Sequence, residues 1–156
     1  MRVLFSVLDA CVKALVIIIV GLVAFQVFMR FVMNDPSAWS EEAALIAFVY
    51  LIFLGTAMAA DRGLNLTANM IVPYLGAGGR VWAQRAVAAV TIAFLAVVFF
   101  TGIRMSLAVR GATTTALNVP MSLIYASVPI GAFLHVLGIV NWLRHTREVK
   151  PEEMVG

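Results

Sequence analysis

Apolar positions in this chain do not alternate with polar ones at the period of a soluble helix or strand. They run together. Four uncharged runs stand out: Ala14–Met29 with 16 residues, Ala43–Ala60 with 18, Ala86–Ile103 with 18, and a long run from Gly111 whose strongly apolar part is Val119–Leu143. Charges bracket each run: Lys13 and Arg30, Glu42 and Asp61, Arg85 and Arg104, Arg110 and Arg144. At a rise of ~1.5 Å per residue, runs of this size cover roughly 24–27 Å. The hydrocarbon core is about 30 Å thick. Long basic side chains at the run ends reach the head-group layer and make up the difference. Strands are excluded, because four of them cannot close a barrel and would leave backbone groups unpaired in lipid.

The pattern therefore predicts an all-α membrane protein of one domain, 1–156. Its four spanning helices are expected at about 12–32, 41–61, 83–106 and 120–143. Composition agrees: 63% of residues are apolar and 12% charged, against about 25% charged in a soluble domain. The opening Met1-Arg2-Val3-Leu4-Phe5 is compatible with a signal peptide. However, Lys13 interrupts the run and no small-x-small site precedes a polar start, so the first helix is read as retained. With the N-terminus inside, eight Lys and Arg side chains fall on the inner side and three (Arg30, Arg104 and Arg110) on the outer side. That asymmetry predicts both termini in the cytoplasm.

The links carry more information than the spans. The first is Phe31–Ser40, with turn formers at Asn34-Asp35-Pro36. Asp35 and Pro36 can start a short interfacial helix carrying Trp39, or Ser40 can cap the second span directly, with Glu41 and Glu42 in its first turn. Asp61-Arg62-Gly63 ends the second span, and Gly63 suits a left-handed C′ position. From Leu64 to Pro73 apolar and polar residues alternate, which predicts a short amphipathic piece on the inner surface. Gly76-Ala77-Gly78-Gly79 reads as a flexible joint. The link Val109–Pro120 is short and Thr-rich, Pro120 is placed to start the fourth helix, and Pro129 is expected to kink it. The end of the charged tail after Arg144 is expected to lack fixed structure.

Candidate chemistry is sparse. Arg30 at one helix C-terminus and Glu41 with Glu42 at the next N-terminus are placed as helix dipoles favour. They are read first as a clamp on the outer corner, and second as a contact for a partner protein. Tyr50 lies within the second span and wants a hydroxyl partner. Gly55 and Ala59, then Ala86, Ala89, Ala93 and Ala96, then Gly131 and Gly138 offer small faces for close helix approach, within the chain or to a second membrane subunit. His135 is the ionisable residue deep in an expected span, a functional candidate that is more often a satisfied neutral histidine. Haem ligation, redox-cysteine chemistry, Ser-His-Asp hydrolysis, phosphate loops and metal clusters all lack their residues. Cys11 is a lone cysteine, read as inert packing. Nucleic-acid binding has no basic patch behind it. No cofactor and no enzymatic activity are expected, and neither internal nor inverted repeats are seen.

Phe28-Met29-Arg30-Phe31, Asn34-Asp35-Pro36, Trp39-Ser40-Glu41-Glu42, Phe53-Leu54-Gly55-Thr56-Ala57, Arg62-Gly63, Thr115-Ala116-Leu117-Asn118-Val119-Pro120 and Tyr125 with Pro129-Ile130-Gly131 occur in this order. Together they resemble the small permease subunit of tripartite ATP-independent periplasmic (TRAP) transporters, the DctQ-like family. Length and four spans match over nearly the whole chain. Asn65-Leu66-Thr67 fits the family pattern only approximately. The resemblance implies a bacterial inner-membrane subunit of a sodium-driven importer of organic acids. Its implied partners are a large DctM-like permease, which holds the substrate path and sodium sites, and a DctP-like periplasmic binding protein. The small subunit would enlarge the scaffold among membrane lipid and help form a docking surface through Asp35, Trp39, Glu41, Arg104 or Arg110. Two other classes stay open: a self-sufficient homo-oligomeric transporter using His135, and a structural membrane subunit without a transport role.

Overall fold

The computed structural model describes residues 2–63 and 77–146. Four helices account for most of them: α1 Arg2–Phe31, α2 Ala38–Asp61, α3 Ala77–Ala108 and α4 Met121–Thr146. Each contains a stretch long and apolar enough to cross a membrane: Val3–Phe31, Ala38–Asp61, Arg85–Ala108 and Met121–Arg144. The expected amphipathic piece at 64–73, the segment Asn65-Leu66-Thr67 and the tail beyond Thr146 lie outside the described residues.

Two helices are longer than the charge pattern predicts. The first was expected from about residue 12 but begins at Arg2. Its 30 residues measure about 45 Å, more than a hydrocarbon core needs. The extension is held by packing, because Phe5, Leu8 and Val12 recur on one helix face and meet Met58, Leu54, Leu134 and Leu137. The third helix starts at Ala77, so Ala77, Gly78 and Gly79 are helical rather than a joint.

The helices pack in a row, α1 on α2, α2 on α4, and α4 on α3. Among the described residues α1 and α3 do not meet. The centre is therefore the α2–α4 contact. Ala57, Ala60, Ala132 and Ile139 are buried there or beside it. Two small residues let the backbones close in. A Cβ on Gly138 would stand 2.7 Å from the Ala57 carbonyl oxygen, and one on Gly131 would strike the Phe53 side chain. On the far side of α4, a Cβ on Gly102 of α3 would stand 2.8 Å from Cδ of Pro129, so α3 presses on the proline ring. The helix α4 is continuous through Pro129.

Large apolar side chains such as Ile17, Val20, Val90 and Phe94 are exposed on the outside of the row. In water this surface would aggregate; in lipid it is the expected boundary. Among the described residues the alanine face of α3 (Ala86, Ala89, Ala93 and Ala96) is exposed, whereas Gly131 and Gly138 lie in close helix contact. Gly55 has open space beside it, and Ala59 is half-buried.

Candidate docking surface at the corner end

The corner forms where α1 runs out of apolar sequence. Asn34 takes the left-handed conformation at φ 54°, and the Asp35 N–H reaches back to the Met29 carbonyl at 3.1 Å. Asparagine tolerates that conformation because its short side chain can bond locally. Pro36 and Ser37 follow, and α2 starts at Ala38 with Ser37 as its N-cap. No separate interfacial helix precedes the span, since Trp39 sits in the first turn of α2 itself. Its ring lies 5.7 Å from that of Phe25, tilted by 45°, which fixes the entry of α2 against α1. Neither expected cap operates. The Ser40 hydroxyl is buried and donates to the Ser37 carbonyl at 2.9 Å, and Ser37 makes no side-chain cap bond.

The second link, between α3 and α4, is a closed loop. Thr113 and Pro120 face each other in an antiparallel bridge. The Thr114 N–H donates to the Val119 carbonyl at 2.9 Å, and the Val119 N–H returns to the Thr114 Oγ1 at 3.1 Å. Asn118 supplies the left-handed residue at φ 52°. Thr114 is buried, and these two bonds satisfy three of the loop's backbone groups inside it.

Glu42, near the start of α2, holds the second link. Its carboxylate accepts from Thr115 Oγ1 at 2.7 Å and from the Ala116 N–H at 2.9 Å through Oε1, and from the Leu117 N–H at 2.9 Å through Oε2. Three donors converge on one ion, two of them backbone groups at the loop tip. A carboxylate is acceptor-only and has room for all three. Charge assistance makes such bonds stronger than neutral ones. Glu42 thus ties the loop to α2 instead of forming an ion pair with Arg30. Among the described residues no ion pair joins Arg30 to Glu41 or Glu42.

Arg30 lies elsewhere. Its guanidinium is 5.8 Å from the Phe31 ring centroid. With Gln26, Ser37 and Glu41 it lines a hollow of about 300 Å³ between α1 and α2. Asp35, Trp39, Glu41, Arg104 and Arg110 are all exposed, on the corner, toward the end of α3 or, for Arg110, in the link after it. Below the surface, Tyr50 donates to the Leu123 carbonyl at 2.7 Å, and Ser106 to the Ser122 carbonyl at 2.8 Å. His135 is half-buried in α4, and its Nε2 is buried without a hydrogen-bond partner among the described residues.

The opposite end is held by side chains. Asp61 accepts from Asn141 Nδ2 at 2.6 Å. Asp9 pairs with Lys13 at 2.5 Å and with Arg62 at 2.8 Å. Gly63 is left-handed at φ 67°, as its place after the helix predicts, and sits against the Trp142 indole.

Sequence reading missed the Glu42 clasp, the Asp9 pairs and the Asn141 contact. The adjacent acids Glu41 and Glu42 carried a faint signal. On a helix they point about 100° apart, so a single role for both was not required. Which of them turns inward depends on where the second link lies.

The fold and this surface define a class. Four spans surround no cluster of metal-binding side chains among the described residues, and the built polar structure gathers at the helix ends. The class is a multi-pass, all-helical membrane protein with four helices long and apolar enough to span. The sequence profile of the DctQ component of tripartite ATP-independent periplasmic transporters matches residues 19–148, and the chain belongs to that family of transporter subunits. It is 37% identical over 51 residues to the sialic acid TRAP transporter small permease protein SiaQ of Vibrio cholerae, covering 31% of this chain and 30% of that protein. It is 36% identical over 59 residues to a provisionally named TRAP transporter small permease protein of Haemophilus influenzae, covering 38% and 36%. The aligned stretches thus span about a third of these relatives.

Proposed function

We propose that this chain is the accessory small permease subunit of a sodium-driven, binding-protein-dependent importer of organic acids in a bacterial inner membrane, with both termini cytoplasmic. A large DctM-like permease carries the substrate path and sodium sites. A DctP-like periplasmic protein delivers the solute. This chain enlarges the static scaffold through its exposed helix faces and presents its corner end to the binding protein. Vibrio cholerae SiaQ is named for sialic acid, which is consistent with an acidic solute.

The observation that carries the docking role is the Glu42 clasp. It ties the Thr115–Leu117 tip of the second link to the start of α2, next to Glu41, which supports a docking surface made of Asp35, Trp39, Glu41, Arg104 and Arg110. A rigid surface loses less conformational entropy when a partner docks. The test is purification of the tagged chain from its own membrane in mild detergent, with mass spectrometry of what stays bound. A large polytopic subunit at near one-to-one is expected. Recovery of this chain alone, active in proteoliposomes as a homo-oligomer, would overturn the proposal.

The unpartnered Nε2 of His135 supports a second reading, a self-sufficient transporter that uses this histidine. On that reading His135→Ala abolishes transport; on the accessory reading uptake by the assembled complex survives.

A further inference from the structure

We propose that the hollow between the end of α1 and the start of α2 binds the head group of a zwitterionic phospholipid, one bearing both a phosphate and a primary ammonium. Four polar side chains line it: Gln26 and Arg30 from α1, Ser37 and Glu41 from the start of α2. Arg30 and Glu41 carry opposite charges into one space of about 300 Å³. Among the described residues neither belongs to an ion pair, since the pairs present all use Asp9. The third charge at the corner, Glu42, is committed to the second link. The hollow therefore holds two opposite charges, neither of them in an ion pair among the described residues.

A third group asks for an acceptor. Gln26 Nε2 is buried and has no hydrogen-bond partner among the described residues. Buried donors left unpaired are costly, and most find a partner. A phosphate oxygen would accept from Gln26 Nε2 and from the Arg30 guanidinium together. The start of α2 favours the same anion, because Ser37 leaves its first-turn N–H groups without a side-chain cap. The lipid's ammonium would donate to the Glu41 carboxylate. A carboxylate side chain from a partner protein would satisfy Arg30 and Gln26 but leave Glu41 unanswered. Only a ligand with both signs fits every wall.

Position selects a lipid over a soluble zwitterion. The hollow lies where the span Val3–Phe31 ends and the span Ala38–Asp61 begins, which is head-group level. Beside it, Val27, Phe28 and Phe31 expose 52%, 51% and 76% of their surfaces. Acyl chains attached to the head group would cover that apolar wall, which a soluble molecule could not do.

The test uses the full-length chain purified with any subunit that accompanies it, stripped of lipid and then supplied separately with phosphatidylethanolamine, phosphatidylglycerol and soluble phosphoethanolamine. Native mass spectrometry counts the bound molecules. Retention of phosphatidylethanolamine about tenfold better than phosphatidylglycerol is expected, the scale of one charge-assisted contact. Glu41→Gln should erase that preference, Arg30→Gln should lose both lipids, and Arg30→Lys should keep most of the binding. Equal retention of the two lipids by the unaltered protein overturns the proposal without recourse to any variant. Soluble phosphoethanolamine binding as firmly as the lipid overturns the lipid assignment. Binding to the free chain that vanishes in the complex gives the hollow to a partner and overturns it as well. None of these outcomes depends on whether this chain docks a binding protein.

Discussion

The two ends of α2 are both fastened, but by different means. At the corner end Glu42 holds a loop by two backbone N–H groups and one hydroxyl. At the other end Asp61 meets Asn141, Arg62 reaches Asp9, and Gly63 lies under Trp142. Side-chain pairs fix which helices are neighbours and tolerate small shifts of either partner. A carboxylate on consecutive amides fixes the conformation of the segment that owns those amides. The first arrangement is what a bundle needs to stay assembled. The second is what a surface needs to keep one shape. The close contacts lie between α2 and α4, and the fixed loop lies at the corner end.

The largest expected effect breaks the structural side. Gly138→Leu puts side-chain atoms where the Ala57 carbonyl stands 2.7 Å and the Asp61 nitrogen 3.0 Å from a Cβ. Backbone cannot swing aside as a flexible side chain can, so α2 and α4 must separate. Overpacking of this kind costs about 1–3 kcal/mol and occasionally more. A thermal melt in detergent should show a large loss. Gly55→Ala, with open space at its Cβ, should change it by less than about 0.5 kcal/mol. Next in size is Glu42→Ala, whose signature is local. Hydrogen exchange should accelerate at Ala116 and Leu117 while the α2–α4 core stays protected. Loss of protection throughout would mean that Glu42 supports the bundle, and the contrast between the two ends would fall.

Much of the fold was legible because lipid imposes a simple rule. The three uncharged runs of 16 to 18 residues and the apolar part of the longer fourth one had to be helices, and each forms one. The charges misplaced the ends. Lys13 bounds the first uncharged run, yet it pairs with Asp9 four residues earlier on a helix that runs through both. Gly78 and Gly79 read as a joint from composition, and the helix includes them. Gly63 was legible because helix end, glycine and left-handed backbone go together. The corner was half legible. Glu42 was singled out there, but its bonding was not, because Glu42 and Thr115 are 73 positions apart. A single sequence carries no trace of such a pairing when the donors are backbone groups, which every residue but proline owns.

Smaller effects separate the side-chain ties. Asn141→Leu removes the donor to Asp61 and should cost about 0.6–2 kcal/mol, the range for hydrogen bonds between membrane helices. Tyr50→Phe should cost less. The Leu123 carbonyl that Tyr50 reaches lies in the first turn of α4 and still faces the helix's own N–H groups. A larger loss for Tyr50→Phe than for Asn141→Leu, measured by the same melt, would shift the structural load toward the corner.

The smallest effect is the most diagnostic. Asp9 pairs with Lys13 and Arg62, whose side chains are 72% and 58% exposed. Exposed pairs contribute little, and salt weakens them further as the screening length falls from about 10 Å at 0.1 M to about 3 Å at 1 M. Asp9→Asn should therefore produce a small loss at low salt that disappears at high salt. The exchange signature of Glu42→Ala should survive the same salt, because a carboxylate touching fixed backbone amides depends on contact geometry rather than on mobile partners. If the two variants lose their effects together as salt rises, the clasp is an ordinary surface contact and the corner has no built shape. If they part, the chain fastens one end for neighbourhood and the other for form.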